Sequence, residues 1–145
     1  MTDAKTQLAR SWLLKARHDL ASAHVLAAST PPLLDTAIYH CQQAAEKAVK
    51  GYLVFSEQEA ERVHDIEVLI RSAMSCDQRF AAWVDVGIEL TPYARLYRYP
   101  GPATEPTQEQ VDRAISAAEG LYKFVLSVLP PELQPEGVSP REPEG

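Results

Sequence analysis

The chain has 145 residues, of which 46% are hydrophobic, and carries a formal net charge of −6. That length fits a single domain with an ample apolar core. The acidic balance gives no global field favouring nucleic acid, so any contact with a nucleotide or RNA must come from a local cluster.

The first helix is expected over about Ala4 to Ala28. Leu8, Trp12, Ala16, Leu20, Ala23 and Ala27 recur at three- and four-residue steps, with Leu13 beside the stripe. Thr30-Pro31-Pro32 ends it, because proline cannot continue a helix and disfavours helical backbone just before it. The second helix begins near Leu33 and runs to Phe55. Its apolar stripe is Ile38, Cys41, Ala45, Ala48, Tyr52 and Phe55, and a polar stripe of Gln42, Gln43, Glu46, Lys47 and Lys50 lies beside it. Glu46 and Lys50 form an i, i+4 pair worth only a few tenths of a kcal/mol when solvated. Two readings of this stripe stay open. It is either a solvated, salt-bridged face or a polar groove in which Gln43, Glu46, Lys47 and Lys50 meet a ligand or partner. Gly51 costs about 1 kcal/mol relative to alanine inside a helix. Its presence predicts a second helix packed close by.

A polar loop, SEQEAER, follows. His64-Asp65 opens a third helix carrying Ile66, Leu69, Ile70, Ala73 and Met74, with Asp65 suited to the positive end of the helix dipole. A fourth helix is expected from about Gln78 to Tyr97, on Phe80, Trp83, Val84, Val86 and Leu90, kinked or divided at Pro92. The break RYPGPATEP comes next. Thr107 and Gln110 then form a capping box for a fifth helix on Val111, Ile115, Ala118, Leu121, Tyr122, Val125 and Val128. Residues 130–145 hold five prolines after Leu129 and few large apolar groups, which predicts a disordered or loosely docked tail after a bundle spanning 1–129.

No segment alternates with period two. The fold class is therefore all-α, an up-and-down four-helix-type bundle with an additional short third helix, five helices in all. Cys41 reads as a reduced core thiol. Neither it nor Cys76 has metal-ligand spacing with the other or with His18, His24 or His40, so no metal or cofactor is expected. With no signal-peptide pattern and no apolar run near the roughly 20 residues of a membrane span, the expectation is a cytoplasmic protein without a membrane partner.

Three segments together resemble the HEPN (higher eukaryotes and prokaryotes nucleotide-binding) family. They are QQAAEKAVKGYL at 42–53, VHDIEVL at 63–69 and LTPYARLYRYPGPATEPT at 90–107, with Arg17-His18-Asp19-Leu20 in the first helix fitting as well. Order and spacing match from about residue 10 to 130. The resemblance implies a small prokaryotic helical bundle that commonly forms a homodimer. Members are often encoded beside a small nucleotidyltransferase, and some pairs act as toxin and antitoxin. Other members are metal-independent endoribonucleases that use an arginine followed, after four to six residues, by a histidine.

Arg98 falls where that arginine would stand, but positions 103, 104 and 105 hold Ala103, Thr104 and Glu105. The general base of the family's RNase pattern is missing. Arg17 and His24 satisfy the same spacing, but they lie in the first helix and read as surface residues. Within Tyr97-Arg98-Tyr99-Pro100, Arg98 either grips a phosphate while the tyrosines stack on a base, or caps the preceding helix. Arg95 shares its face. Tyr93, Tyr97 and Tyr99 join the ligand candidates, although each also suits packing. His64 as a catalytic group needs a partner that the sequence does not place.

The reading is therefore a dimeric binding module for a nucleotide, RNA or a nucleotidyltransferase partner, without a complete catalytic set. The alternatives are an endoribonuclease using Arg98 with Tyr99 or Glu105 as acid/base, and a purely structural dimerisation module.

Overall fold

The computed structural model describes residues 3–60, 62–101 and 105–135. Five α-helices are present among them: α1 (Ala4–Ala28), α2 (Leu34–Phe55), α3 (Ile66–Met74), α4 (Val84–Leu90) and α5 (Gln108–Ser127). Among the described residues there is no strand. The helical bundle expected from the sequence is the observed fold, with one change of proportion. The fourth helix is seven residues long, framed by 3-10 turns at Gln78–Trp83 and Thr91–Ala94. Pro92 has no amide hydrogen to give, so the α-helical ladder stops at Leu90 and tightens into the second turn.

Local chemistry fixes the helix ends. The Asp3 carboxylate accepts from the Thr6 amide at 2.7 Å to open α1. Asp65 does the same for α3, accepting from the Val68 amide, so it is the N-cap rather than a first-turn residue. Thr107 and Gln110 form the full capping box of α5. Helix α2 ends with Glu57 at a φ of 61°, the left-handed position after a helix, while the Gln58 amide donates back to the Leu53 carbonyl.

α1 and α2 form the most extensive helix pair, and α2 also packs on α3 and α5. The buried face of α1 is Ala9, Leu13, Ala16, Leu20 and Ala23. It departs from the expected stripe at its start: Leu8 is 50% exposed, and Leu13 takes the core position. Alanines dominate this seam because the helices approach closely. A Cβ on Gly51 would lie 3.0 Å from the Leu13 side chain and 3.3 Å from the Ala9 carbonyl oxygen. The glycine's helix penalty is thus offset by packing that a larger residue would disrupt. Phe80, fully buried, joins the short helices to α5 through ring contacts with Tyr52 at 4.6 Å and Phe124 at 4.9 Å.

The bundle continues past Leu129. Pro131–Leu133 forms a 3-10 turn, Leu133 is buried, and Arg10 on α1 donates to the Glu132 carbonyl. The segment through Pro135 is docked, and the rest of the expected tail lies outside the described residues. No helix among the described residues is long and apolar enough to cross a membrane.

Candidate functional site

The polar stripe of α2 faces inward. Gln42 is fully buried, Glu46 is 6% exposed and Lys50 is 2% exposed, so this is not a solvated face. The residues form a ladder. Gln43 Nε2 donates to Gln42 Oε1 at 2.7 Å, and Gln42 Nε2 donates to Glu46 Oε1 at 3.0 Å. Lys50 Nζ donates to Glu46 Oε2 at 2.8 Å and lies 5.3 Å from the centre of the Trp12 ring. Burial would raise the Glu46 carboxyl, but hydrogen bonds from Lys50, His64 and Gln42 outweigh it and hold the group below the ordinary carboxylate range.

The same ladder carries His64. Its Nδ1 lies 2.9 Å from Glu46 Oε2. An ionised carboxylate only accepts, so Nδ1 bears the hydrogen and Nε2 is left on the opposite edge of the ring. A second pair stands one helix over. His40 Nδ1 lies 2.7 Å from Asp19 Oδ1, while Lys47 Nζ donates to Asp19 Oδ2 at 2.8 Å.

These anchors border a bipartite depression. One hollow, of about 500 Å³, is lined by Tyr39, Gln43, His64, Arg95, Arg98 and Tyr99. The other, of about 250 Å³, is lined by Asp35, Thr36, Tyr39, His40, Tyr97 and Arg98. Tyr39 and Arg98 belong to both. The Arg98 guanidinium lies 4.4 Å from the Tyr39 ring centre and 5.4 Å from that of Tyr99, a cation held on aromatic faces. Its 3.4 Å bond to the Ala94 carbonyl is long, so helix capping accounts for little of its position.

The candidates named from sequence therefore separate by place. Gln43, Arg95, Arg98 and Tyr99 line the first hollow, and Tyr97 lines the second. Tyr93 is buried, stacks on Tyr97 at 6.1 Å and has its phenol raised by burial, which is a packing role. Glu46, Lys47 and Lys50 form the supporting charge network. Among the described residues, Glu105 is exposed; Ala103 and Thr104 lie outside them. Sequence reasoning missed Asp35, Thr36, Tyr39 and His40. Their signal was present: Asp35, Tyr39 and Gln43 fall at four-residue steps on one helical face. His24 pairs with Glu119 at 2.6 Å, which explains it without Arg17. Cys41 is buried, and burial pushes its thiol up to about 12, so it is inert core.

A further hollow of about 540 Å³ lies at the α2–α3 loop, lined by Leu8, Val54, Ala60 and Val63 with Glu57, Glu59 and Arg62 at its edge. Among the described residues its lining sets two carboxylates, Glu57 and Glu59, against the single cation Arg62, so it suits an anionic ligand less than the Arg98 hollow does. Among the described residues no group of three His, Cys, Asp or Glu side chains is placed to hold a metal ion.

The HEPN domain model matches residues 9–128, the greater part of the chain. The chain belongs to the HEPN domain family. Solved structures agree with the HEPN assignment. The chain is similar to TT1696 from Thermus thermophilus, at 29% identity and a TM-score of 0.74, over 83% of this chain and 98% of that one. It is also similar to ST0689, an archaeal HEPN homologue, at 27% identity and a TM-score of 0.64, over 82% of this chain and 95% of that one. Among curated proteins no match is found. Within this HEPN bundle, the depression lies where α2 meets the segment after α4.

Proposed function

We propose that this HEPN domain is a nucleotide-binding module whose site is the depression divided by Arg98 and Tyr39. The observation that carries the reading is the Arg98 guanidinium resting on Tyr39 and Tyr99 in a hollow that Arg95 and His64 also line. Guanidinium groups grip phosphate oxygens through paired N–H donors, and aromatic faces accept bases. The test is calorimetric titration with 5′-nucleotides. Arg98→Ala is expected to weaken binding at least about tenfold, the loss of roughly one charge-assisted contact. Equal binding by wild type and variant would remove the site from this depression.

The family supports two further parts of this reading: that the module acts as a homodimer, and that its partner is a small nucleotidyltransferase in a toxin–antitoxin-like pair. Sedimentation at micromolar concentration tests the first, where a monomer overturns it. Co-purification from the native host tests the second, where recovery of the chain alone overturns it.

A second reading, endoribonuclease, is favoured by one observation. His64 is oriented by buried Glu46 and lines the hollow that holds Arg98, a position where an imidazole can move a proton. Incubation with RNA separates the two readings. Cleavage lost in both Arg98→Ala and His64→Asn supports the enzyme; no cleavage by wild type leaves the binding module.

A further inference from the structure

Two hollows that share a wall invite different parts of one ligand. The first offers N–H donors from Arg95, Arg98 and Gln43, whose amide keeps a second hydrogen after donating to Gln42. It suits phosphate. The second differs by holding a carboxylate, Asp35, beside Thr36, His40 and Tyr97. A carboxylate repels phosphate but accepts hydrogen bonds from a donor-bearing base edge.

Asp35 is held for that task. Its Oδ1 accepts from the Thr36 amide at 2.7 Å and from the Thr36 hydroxyl at 3.3 Å. These bonds fix the carboxylate while leaving further acceptor sites on its two oxygens. Asp35 and Tyr39 lie one turn apart on α2, so the carboxylate stands along the helix from the wall the two hollows share. His40, fixed through Nδ1 on Asp19, borders the same hollow, as does the Tyr97 ring, which Gln110 Nε2 holds by its hydroxyl at 3.3 Å.

We infer that this hollow is a base-reading subsite selective for guanine, with Asp35 as the specificity-determining residue. Of the common bases, guanine alone presents two adjacent donors, N1–H and N2–H₂, on one edge. The two carboxylate oxygens meet both at once. Adenine sets an acceptor, N1, beside its amino group, and uracil carries a single ring donor between two carbonyls. The phosphate lies across the shared wall, on Arg95 and Arg98. This assignment rests on the nucleotide-binding reading above.

The test uses the full chain with 5′-GMP, 5′-AMP, 5′-XMP and inorganic phosphate as separate probes. A correctly read base edge is expected to favour GMP over AMP by about tenfold to a hundredfold. Asp35→Asn supplies the sharper readout. Its amide offers one donor and one acceptor, which mismatches guanine but matches xanthine, where a carbonyl replaces the amino group. The variant is expected to lose GMP affinity by at least about tenfold while gaining XMP. Inorganic phosphate is expected to bind the variant no more weakly than wild type. A merely structural role for Asp35 would weaken every nucleotide alike, and that result overturns the inference, as does equal wild-type affinity for GMP and AMP. Arg98-dependent nucleotide binding without guanine preference removes only the base assignment. Absence of binding by any nucleotide removes both it and the reading beneath it. Circular dichroism confirms that the variant is folded, and Asp35→Ala, which offers neither donor nor acceptor, is expected to lose GMP without gaining XMP.

Discussion

Replacing Glu46 with alanine is expected to lower folding stability by about 3–5 kcal/mol, the usual result of removing one partner from a buried ion pair. Lys50 would keep its charge at 2% exposure without the carboxylate that lies 2.8 Å away. Gln42 and His64 would lose the same acceptor. The penalty comes from taking a carboxylate away from a buried ammonium, not from the intrinsic worth of the pair. A joint replacement, Glu46→Leu with Lys50→Met, is therefore expected to recover part of the loss, because an apolar pair carries no ionic desolvation cost while the buried Gln42 amide still lacks its acceptor. Urea denaturation of Glu46→Leu, Lys50→Met and the double gives the coupling directly. If each single costs under about 1 kcal/mol, the value of exposed pairs, the network behaves as a solvated one and its burial is contradicted.

The same carboxylate sets an acid limit. Its folded-state pKa is depressed, so its contribution is complete above the ordinary glutamate value of about 4.3 and is lost as pH falls through the lower folded value. Wild-type stability should fall with acidification below about pH 4.3, and Glu46→Gln should show a shallower fall over that window.

Phe80→Ala is expected to cost about 3–5 kcal/mol, the range for deleting a fully buried aromatic ring. Phe80 is the contact through which Gln78–Trp83, too short to fold alone, is tied to α2 and α5 by the Tyr52 and Phe124 rings. Trp83 lies tilted against Phe124 at 5.6 Å and fills the space over Gly120, so the loss should propagate along this seam. Thermal unfolding monitored at the tryptophans measures it. A Tm unchanged within a few degrees would contradict the placement of Phe80 at the joint.

The helices with strong periodicity and end signals were legible from sequence. Ala4–Ala28, the Thr107–Gln110 box and the interruption at Pro92 each follow from local rules that tertiary structure did not override. The register of α1 was not legible at its start. In an alanine-rich helix, Leu8 and Leu13 compete for the core, and only the close approach of Gly51 decides for Leu13. The burial of Gln42, Glu46 and Lys50 was hidden for a different reason. An i, i+4 pair looks the same in water and in a core, and the groups it meets there, Trp12 on α1 and His64 before α3, are distant in sequence. The site was half legible. Arg95, Arg98 and Tyr99 stood out as a basic-aromatic cluster, whereas Asp35, Tyr39 and His40 gained meaning only when α2 was laid against the segment after α4.

Amide chemical-shift mapping with 5′-GMP locates the bound nucleotide on the bundle. Perturbations are expected to centre on Asp35, Tyr39, Gln43, His64, Ala94 and Arg95, which line the two hollows. Perturbations centred instead on Leu8, Val54, Ala60 and Val63, around the apolar hollow at the α2–α3 loop, would contradict it.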